Sequence, residues 1–144
     1  MSEIRRPSLV KPTTKTPLHI DFDWWKNHDR DWRIHMRSFL CPEHQAMFSD
    51  AITDQKFDLI DQTTAEVKQV DALEYLLITH CAKQDGFLSK SGTLVDSVFK
   101  VFLTNGNQPL TPTELSVILS KPAQTILTAF GGLRVYKGIR PIQF

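Results

Sequence analysis

The sequence lacks the features by which membrane-spanning and exported proteins are recognised. No apolar run approaches the ~18 residues that a membrane span needs, and residues 1–17 contain no apolar segment of the kind found in secretory signals. There are only two cysteines, Cys41 and Cys81, which are too few for a disulfide framework. We therefore expect a cytoplasmic protein in which both thiols are reduced.

The motifs of common enzyme classes are missing as well. None of the six glycines belongs to a phosphate-binding loop, and no serine or cysteine lies in a recognisable nucleophile motif. An extended segment would place Asp21 and Asp23 on one face, an arrangement that suits a metal-dependent nuclease. Three histidines lie nearby in the sequence, namely His19, His28 and His35. These residues alone do not form a recognisable catalytic motif. We therefore predict that the protein is not an enzyme and has no catalytic residues.

The composition is that of an ordinary globular domain. The 144 residues suffice for one domain or for two very small ones. Hydrophobic residues make up 41% of the chain and charged residues 23%, so we expect a packed core.

The net charge of +1 conceals an uneven distribution along the chain. Residues 87–144 carry six Lys/Arg against two acidic residues, a net charge of +4, whereas the remainder has a net charge of −3. Residues 1–17 are themselves basic, so the acidic character is concentrated in residues 18–86. A basic end beside an acidic middle suggests an anionic partner for the basic end.

The composition divides the chain into three predicted regions of a mainly helical α+β protein. Residues 1–17 are predicted to be a flexible basic arm, because they hold too few apolar side chains to offset the entropy cost of ordering. Residues 18–86 are predicted to form an acidic helical region with a β-hairpin. Residues 87–144 are predicted to form a basic domain, which either packs on the acidic region or is only joined to it.

Apolar spacing predicts the first elements of the acidic region. Residues 18–22 alternate as in a short strand, and Asp23 is expected to cap a single helix of about 16 residues. Pro42 would open a second helix over residues 43–52. The apolar face of the first helix comprises Trp25, Trp32, Met36, Phe39 and Leu40.

A hairpin and another helix complete this region. Two β-like runs, residues 57–60 and 67–70, flank a polar link and predict a β-hairpin. Asp71 is expected to cap a helix over residues 72–83, and Gly86 would help to close it in a left-handed conformation.

The sharpest local signals lie in the last third of the chain. Thr93 would open a core helix ending at Thr104. Residues 111–114 combine a capping threonine, a proline at the first helical position and a glutamate that completes a capping box. They predict a short helix that ends near Leu119.

A third helix and a basic hairpin follow this short helix. Ser120 is expected to cap a helix that ends at Phe130. A strand over residues 133–136, a turn at residues 137–138 and a return over residues 139–142 would form the hairpin.

This order of three helices and a hairpin resembles a bacterial winged helix-turn-helix domain. The resemblance covers roughly the last 50 residues and rests on element order, capping and spacing. It implies that the third helix enters the major groove of double-stranded DNA while the hairpin contacts the backbone. The residues that would contact DNA are Lys121, Gln124, Thr125, Thr128, Arg134, Lys137 and Arg140.

The resemblance implies a DNA-binding protein, with transcriptional regulation as one role of such proteins. The alternative is an adaptor that uses the same module to dock a protein, since winged helices also do this. RNA is a third possible partner, and we expect no membrane partner. These functions follow from analogy of fold.

Two cysteine–histidine pairs raise the alternative of a metal site, and they are Cys41 with His44 and His80 with Cys81. Two thiolates and two imidazoles would suit tetrahedral zinc. However, His80 and Cys81 are adjacent in a predicted helix, where their side chains would diverge by about 100°. The favoured interpretation is therefore that no cofactor is bound, that Cys81 is a small buried residue and that His80 is a helix-end histidine.

Overall fold

The computed structural model describes residues 11–47, 55–61, 63–88 and 92–142. Within these ranges the chain forms seven α-helices, one 3-10 helix and four β-strands, which confirms the mainly helical α+β class. In chain order they are β1 (Leu18–Ile20), α1 (Phe22–His28), α2 (Trp32–Ser38), α3 (Pro42–Met47), β2 (Lys56–Ile60), β3 (Val67–Asp71), α4 (Ala72–Thr79), the 3-10 helix (Cys81–Lys83), α5 (Leu94–Thr104), α6 (Pro112–Leu119), α7 (Ala123–Phe130) and β4 (Ile139–Pro141). Across these ranges, no helix combines the length and the apolar character needed to cross a bilayer.

The strands form two small antiparallel sheets. Strands β2 and β3 pair with Ile60 opposite Val67, so the predicted hairpin is confirmed. Strand β1 pairs with β4, and His19 lies opposite Arg140. Residues near the start of the described chain and residues near its end therefore share one sheet.

Among the described residues, one cluster of buried side chains includes members of every α-helix except α3. The Phe99 ring of α5 contacts the Trp25 ring edge-on, with a centroid distance of 5.4 Å, and stacks on Phe39 at 4.9 Å. The cluster thus combines side chains from residues 18–86 with side chains from residues 87–144. The predicted apolar face of the first helical segment is confirmed as buried, comprising Trp25, Trp32, Met36, Phe39 and Leu40.

The prediction of one long helix after β1 is wrong, because the chain breaks between α1 and α2. The Asp29 carboxylate accepts a hydrogen bond from the Asp31 amide at 2.9 Å and another from the Trp25 indole at 3.0 Å. Side chains that bond to nearby backbone amides in this way compete with helix formation. The predicted helix over residues 43–52 begins at Pro42, and its part after Met47 lies outside the described residues.

Helix caps agree with the sequence at three positions and differ at two. The predicted caps that accept the expected backbone hydrogen bond are Asp71, Thr93 and Thr111. Helix α1 is capped by Asp21 instead of Asp23, because the chain becomes helical at Phe22. Ser120 does not cap α7; it ends α6 in a left-handed conformation with a φ of 56°. Helix α7 begins after Pro122 without a side-chain cap.

The predicted hairpin at the end of the chain is formed only in part. Lys137 and Gly138 have φ angles of 53° and 77°, and the Ile139 amide donates to the Tyr136 carbonyl at 3.0 Å, so the turn is confirmed. The predicted strand over residues 133–136 is wrong, since it contributes a single bridge at Tyr136. Strand β4 forms its ladder with β1 instead.

The described part of the predicted basic arm lies against the last third of the chain. The Thr14 carbonyl accepts a hydrogen bond from the Thr113 amide at 3.1 Å, and the Pro17 carbonyl accepts one from the Ile142 amide at 3.1 Å. Residues 1–10 of the predicted arm lie outside the described residues.

Candidate metal centre

Four possible metal ligands meet where the α2–α3 connection packs against the end of α4. The Cys/His cluster consists of Cys41, His44, His80 and Cys81. One ligand atom from each residue lies within 4.8 Å of all the others. The sequence had supplied these residues as two distant pairs, and the fold brings the pairs together.

Four of the six ligand separations in the Cys/His cluster fall in the range expected of a tetrahedral ligand set, and all six lie within 4.8 Å. The two sulfurs are 3.5 Å apart. The His44 Nδ1 atom lies 3.5 Å from the Cys41 sulfur and 3.3 Å from the Cys81 sulfur. The His80 Nδ1 atom lies 3.8 Å from the Cys41 sulfur. With metal bonds of about 2.3 Å to sulfur and about 2.0 Å to nitrogen, tetrahedral zinc requires ligand separations of about 3.3 to 3.8 Å.

The first pair of ligands is positioned by a helix start. Cys41 directly precedes Pro42, the first residue of α3, and His44 follows three residues after Cys41. Residues three apart at a helix start lie on the same side. The Gln45 side chain donates a hydrogen bond to the Leu40 carbonyl at 2.8 Å, which holds the connection between α2 and α3.

The second pair is positioned by a helix end, and the predicted divergence of its side chains is wrong. Helix α4 stops at Thr79, not at Lys83, and His80 adopts a φ of −129° and a ψ of −64°. Cys81 then begins a separate 3-10 helix. Because the backbone turns at His80, the two adjacent side chains converge instead of pointing 100° apart as they would in a continuous helix.

The two thiols of the Cys/His cluster differ in burial and are not joined by a disulfide bond. Cys81 is fully buried and Cys41 is partly exposed, and both are free cysteines. Their sulfurs are too far apart for a disulfide bond, which requires about 2.05 Å. Burial raises the pKa of the Cys81 thiol to about 11. A metal cation would reverse this preference, since a coordinating thiol is deprotonated.

The residues predicted to contact DNA fall into two groups. Those with exposed side chains are Lys121, Gln124, Thr125, Thr128 and Arg134. Lys137 lies 2.6 Å from the Asp96 carboxylate, and Arg140 lies 2.8 Å from the Asp21 carboxylate. Both of these cations are half-buried and are neutralised within the protein.

The carboxylate pair considered for catalysis does not converge. The Asp21 carboxylate caps α1 and forms an ion pair with Arg140. Asp23 is an exposed residue in the first turn of α1. The two were expected on one face because the segment was predicted to be extended, and that prediction is wrong from Phe22 onward.

Sequence reasoning missed a buried group of charges between α1 and α4. The Lys26 ammonium lies 2.9 Å from the Glu74 carboxylate and also donates a hydrogen bond to Asp71. Burial raises the pKa of Glu74, although Lys26 opposes this. Burial would lower the pKa of Lys26, but the two carboxylates raise it overall. One available signal was that Lys26 lies four residues after the apolar Phe22, on the same side of α1.

Comparison with known proteins does not extend these observations. No protein-family model matches the chain, and neither the search of curated proteins nor that of solved structures finds a significant match.

Proposed function

We propose that the chain binds one zinc ion through the Cys/His cluster and that this ion has a structural role. The observation that carries the proposal is that four of the six ligand separations agree with those of tetrahedral zinc. Two thiolates balance the charge of the cation, and two imidazoles complete the set. Zinc is the divalent metal most commonly held by such a mixed sulfur and nitrogen set.

A structural role follows from the number of ligands. Catalytic zinc sites have three protein ligands and keep a fourth position for water, whereas structural sites fill all four positions with side chains. The ion would fasten the α2–α3 connection to the end of α4. A reducing compartment such as the cytoplasm would suit the site, because it keeps both thiols available as ligands.

Metal analysis of the purified protein tests this proposal. Protein produced in zinc-supplemented medium and purified without chelators is expected to contain one zinc ion per chain. The double variant Cys41→Ser with Cys81→Ser is expected to contain none, whereas His28→Gln, at an exposed histidine outside the Cys/His cluster, is expected to retain the full amount. Sub-stoichiometric zinc in the unaltered protein would dismiss the site.

A second proposal concerns the last two helices, for which we infer duplex DNA as the partner. Support comes from the resemblance to a winged helix and from the exposure of polar side chains on and beside α7, including Gln124 and Thr125. Because Lys137 and Arg140 are engaged in ion pairs, phosphate contacts would fall mainly to Lys121 and Arg134. Such contacts carry affinity without sequence information.

The salt dependence of DNA binding tests the second proposal. Each phosphate-contacting cation adds about one unit to the slope of log affinity against log salt. The double variant Lys121→Gln with Arg134→Gln is therefore expected to lower the slope by about two units in fluorescence anisotropy. The matched variant Arg30→Gln with Lys56→Gln, at exposed cations elsewhere, is expected to leave it unchanged.

The adaptor alternative has an observation of its own. Val117 is 78% exposed and Ile118 is 47% exposed on α6, and Leu133 after α7 is fully exposed. Exposed aliphatic side chains of this kind are typical of protein-docking surfaces when they are contiguous. The same titration separates the two roles, since an absence of DNA binding at low salt would contradict DNA binding and favour docking.

A further inference from the structure

The two cysteines of the Cys/His cluster are placed to react with each other as well as to share a metal. Cys41 and Cys81 are 40 residues apart in the sequence, and their sulfurs are 3.5 Å apart. They come from different elements, the α2–α3 connection and the 3-10 helix after α4. We propose that an oxidant of the peroxide class converts this pair into an intramolecular disulfide and thereby releases the zinc ion. The step presupposes the zinc site proposed above.

The difference in burial assigns a role to each cysteine. Cys41 is partly exposed, whereas the Cys81 side chain is inaccessible to solvent. A small oxidant therefore meets the Cys41 sulfur first. Cys81 lies behind it at contact distance and acts as the resolving cysteine, an arrangement found in reversible thiol oxidation.

The chemistry proceeds in two balanced steps. In the first, the Cys41 thiolate attacks one peroxide oxygen, the O–O bond breaks, and one proton is taken up as sulfenic acid and water form. In the second, the Cys81 thiolate attacks the Cys41 sulfur, the S–O bond breaks, and a second proton accompanies the departing oxygen as water. The two sulfurs lose two electrons in total, the peroxide gains them, and the zinc ion keeps its charge.

Zinc release follows from the loss of ligands. A disulfide sulfur is no longer a thiolate, and thiolate is the form that binds the metal. Only the imidazoles of His44 and His80 would remain, which leaves two of four positions without a strong donor. The new covalent bond would join the same two segments that the ion joined, so the fold is expected to survive the exchange.

The test uses the full-length zinc-loaded protein and hydrogen peroxide. Released zinc is followed with a chromogenic chelator, and peptide mass mapping identifies the state of each cysteine. We expect one zinc ion released for each intramolecular Cys41–Cys81 disulfide formed. A dithiol reductant with added zinc is expected to restore the zinc-loaded protein.

The variant Cys41→His shows whether peroxide releases zinc by forming the disulfide or by another route. It keeps four possible ligands but has only one thiol, and we expect zinc release by peroxide to slow by roughly tenfold or more. If this variant does not bind zinc, the proposal is tested by the unaltered protein alone, through the presence or absence of the Cys41–Cys81 disulfide in its peptide map. Equally fast release from a zinc-loaded Cys41→His protein would overturn the proposal.

Three results with the unaltered protein have distinct meanings. Zinc that stays bound with both thiols still reduced overturns the redox proposal and leaves the structural zinc site standing. Zinc release with sulfinic acids or intermolecular disulfides also overturns it. Absence of zinc before peroxide is added overturns the zinc site itself, and the redox proposal with it.

Discussion

At the scale of single residues, two groups of charges hold the first helix in place. Lys26 reaches from α1 to the carboxylates of Asp71 and Glu74 at the start of α4. Asp21 caps α1 and at the same time pairs with Arg140 of β4. Each group joins segments that are distant in the sequence, so each should be measurable as a contribution to the free energy of unfolding.

Replacing Lys26 with methionine is expected to destabilise the protein by about 3 kcal/mol, because two buried carboxylates lose their cation. Chemical denaturation at neutral pH measures the change. The double variant Lys26→Met with Glu74→Gln should cost less than the sum of the single changes, since the charge left behind is smaller. The control Arg30→Met removes an exposed cation and should shift stability by less than about 0.5 kcal/mol. A loss for Lys26→Met no larger than that of the control would contradict the role of the charge group.

The Asp21 carboxylate should make stability depend on pH. Burial would raise its pKa, but the Trp24 amide and Arg140 lower it overall from the ordinary value of 3.8. A lowered folded pKa gives a stabilising contribution that is present above pH 3.8 and is lost as the pH falls through the folded pKa.

The variant Asp21→Asn is therefore expected to be less stable by about 1 to 2 kcal/mol at neutral pH. Its difference from the unaltered protein should shrink below pH 4. Urea denaturation at a series of pH values measures this difference. Asp23→Asn, at an exposed site two residues away, is the matched control. An Asp21→Asn difference that stays constant down to pH 2 would show that the carboxylate charge is not responsible.

At the scale of elements, short helices depend on how their ends are formed. Helices α6 and α7 have eight residues each, and α6 combines a full capping box with a left-handed serine at its end. The left-handed region costs an L-residue roughly 1 kcal/mol relative to glycine. The left-handed conformation of Ser120 therefore lowers the stability of the protein relative to a glycine at this position.

Substituting Ser120 with glycine is expected to stabilise the protein by about 0.5 to 1 kcal/mol, because glycine adopts a positive φ without this cost. Thermal denaturation should show a higher midpoint for Ser120→Gly. Ser120→Ala is the comparison, since alanine keeps the strain and should not raise the midpoint. Equal midpoints for the glycine and alanine variants would contradict a left-handed conformation at this position.

Short sequence patterns were sufficient to predict some elements of the fold but not others. The caps at Asp71 and Thr111 and the hairpin between β2 and β3 were predictable, because each depends on residues close together in the sequence. The end of α4 was not predictable in this way, since apolar periodicity continues to its last turn. The turn at His80 places its side chain beside that of Cys41, 39 residues away. The backbone conformation of His80 therefore depends on packing between segments that are distant in the sequence.

At the scale of the whole molecule, β4, near the end of the described residues, pairs with β1, near their start. Strand β1 lies between β4 and Leu110, with which Leu18 forms an isolated bridge. Pairing over such distances depends on the assembled core, so the sequence pattern alone predicted a local hairpin for β4 instead. The winged-helix interpretation of residues 87–144 stays a prediction.

A structural metal should couple to global stability. The midpoint of thermal unfolding is expected to rise with free zinc concentration and to fall when a chelator is added, because a ligand that binds only the folded state stabilises it. The double variant Cys41→Ser with Cys81→Ser should not respond to either treatment. An unaltered protein whose midpoint is indifferent to both would show that folding is not linked to metal.

X-ray absorption spectroscopy at the zinc edge of the purified protein tests the central claim most directly. The Cys/His cluster predicts a first shell of two sulfur atoms at about 2.3 Å and two nitrogen atoms at about 2.0 Å, with no bound water. A first shell made only of nitrogen and oxygen, or a protein that contains no zinc, would contradict the proposed site.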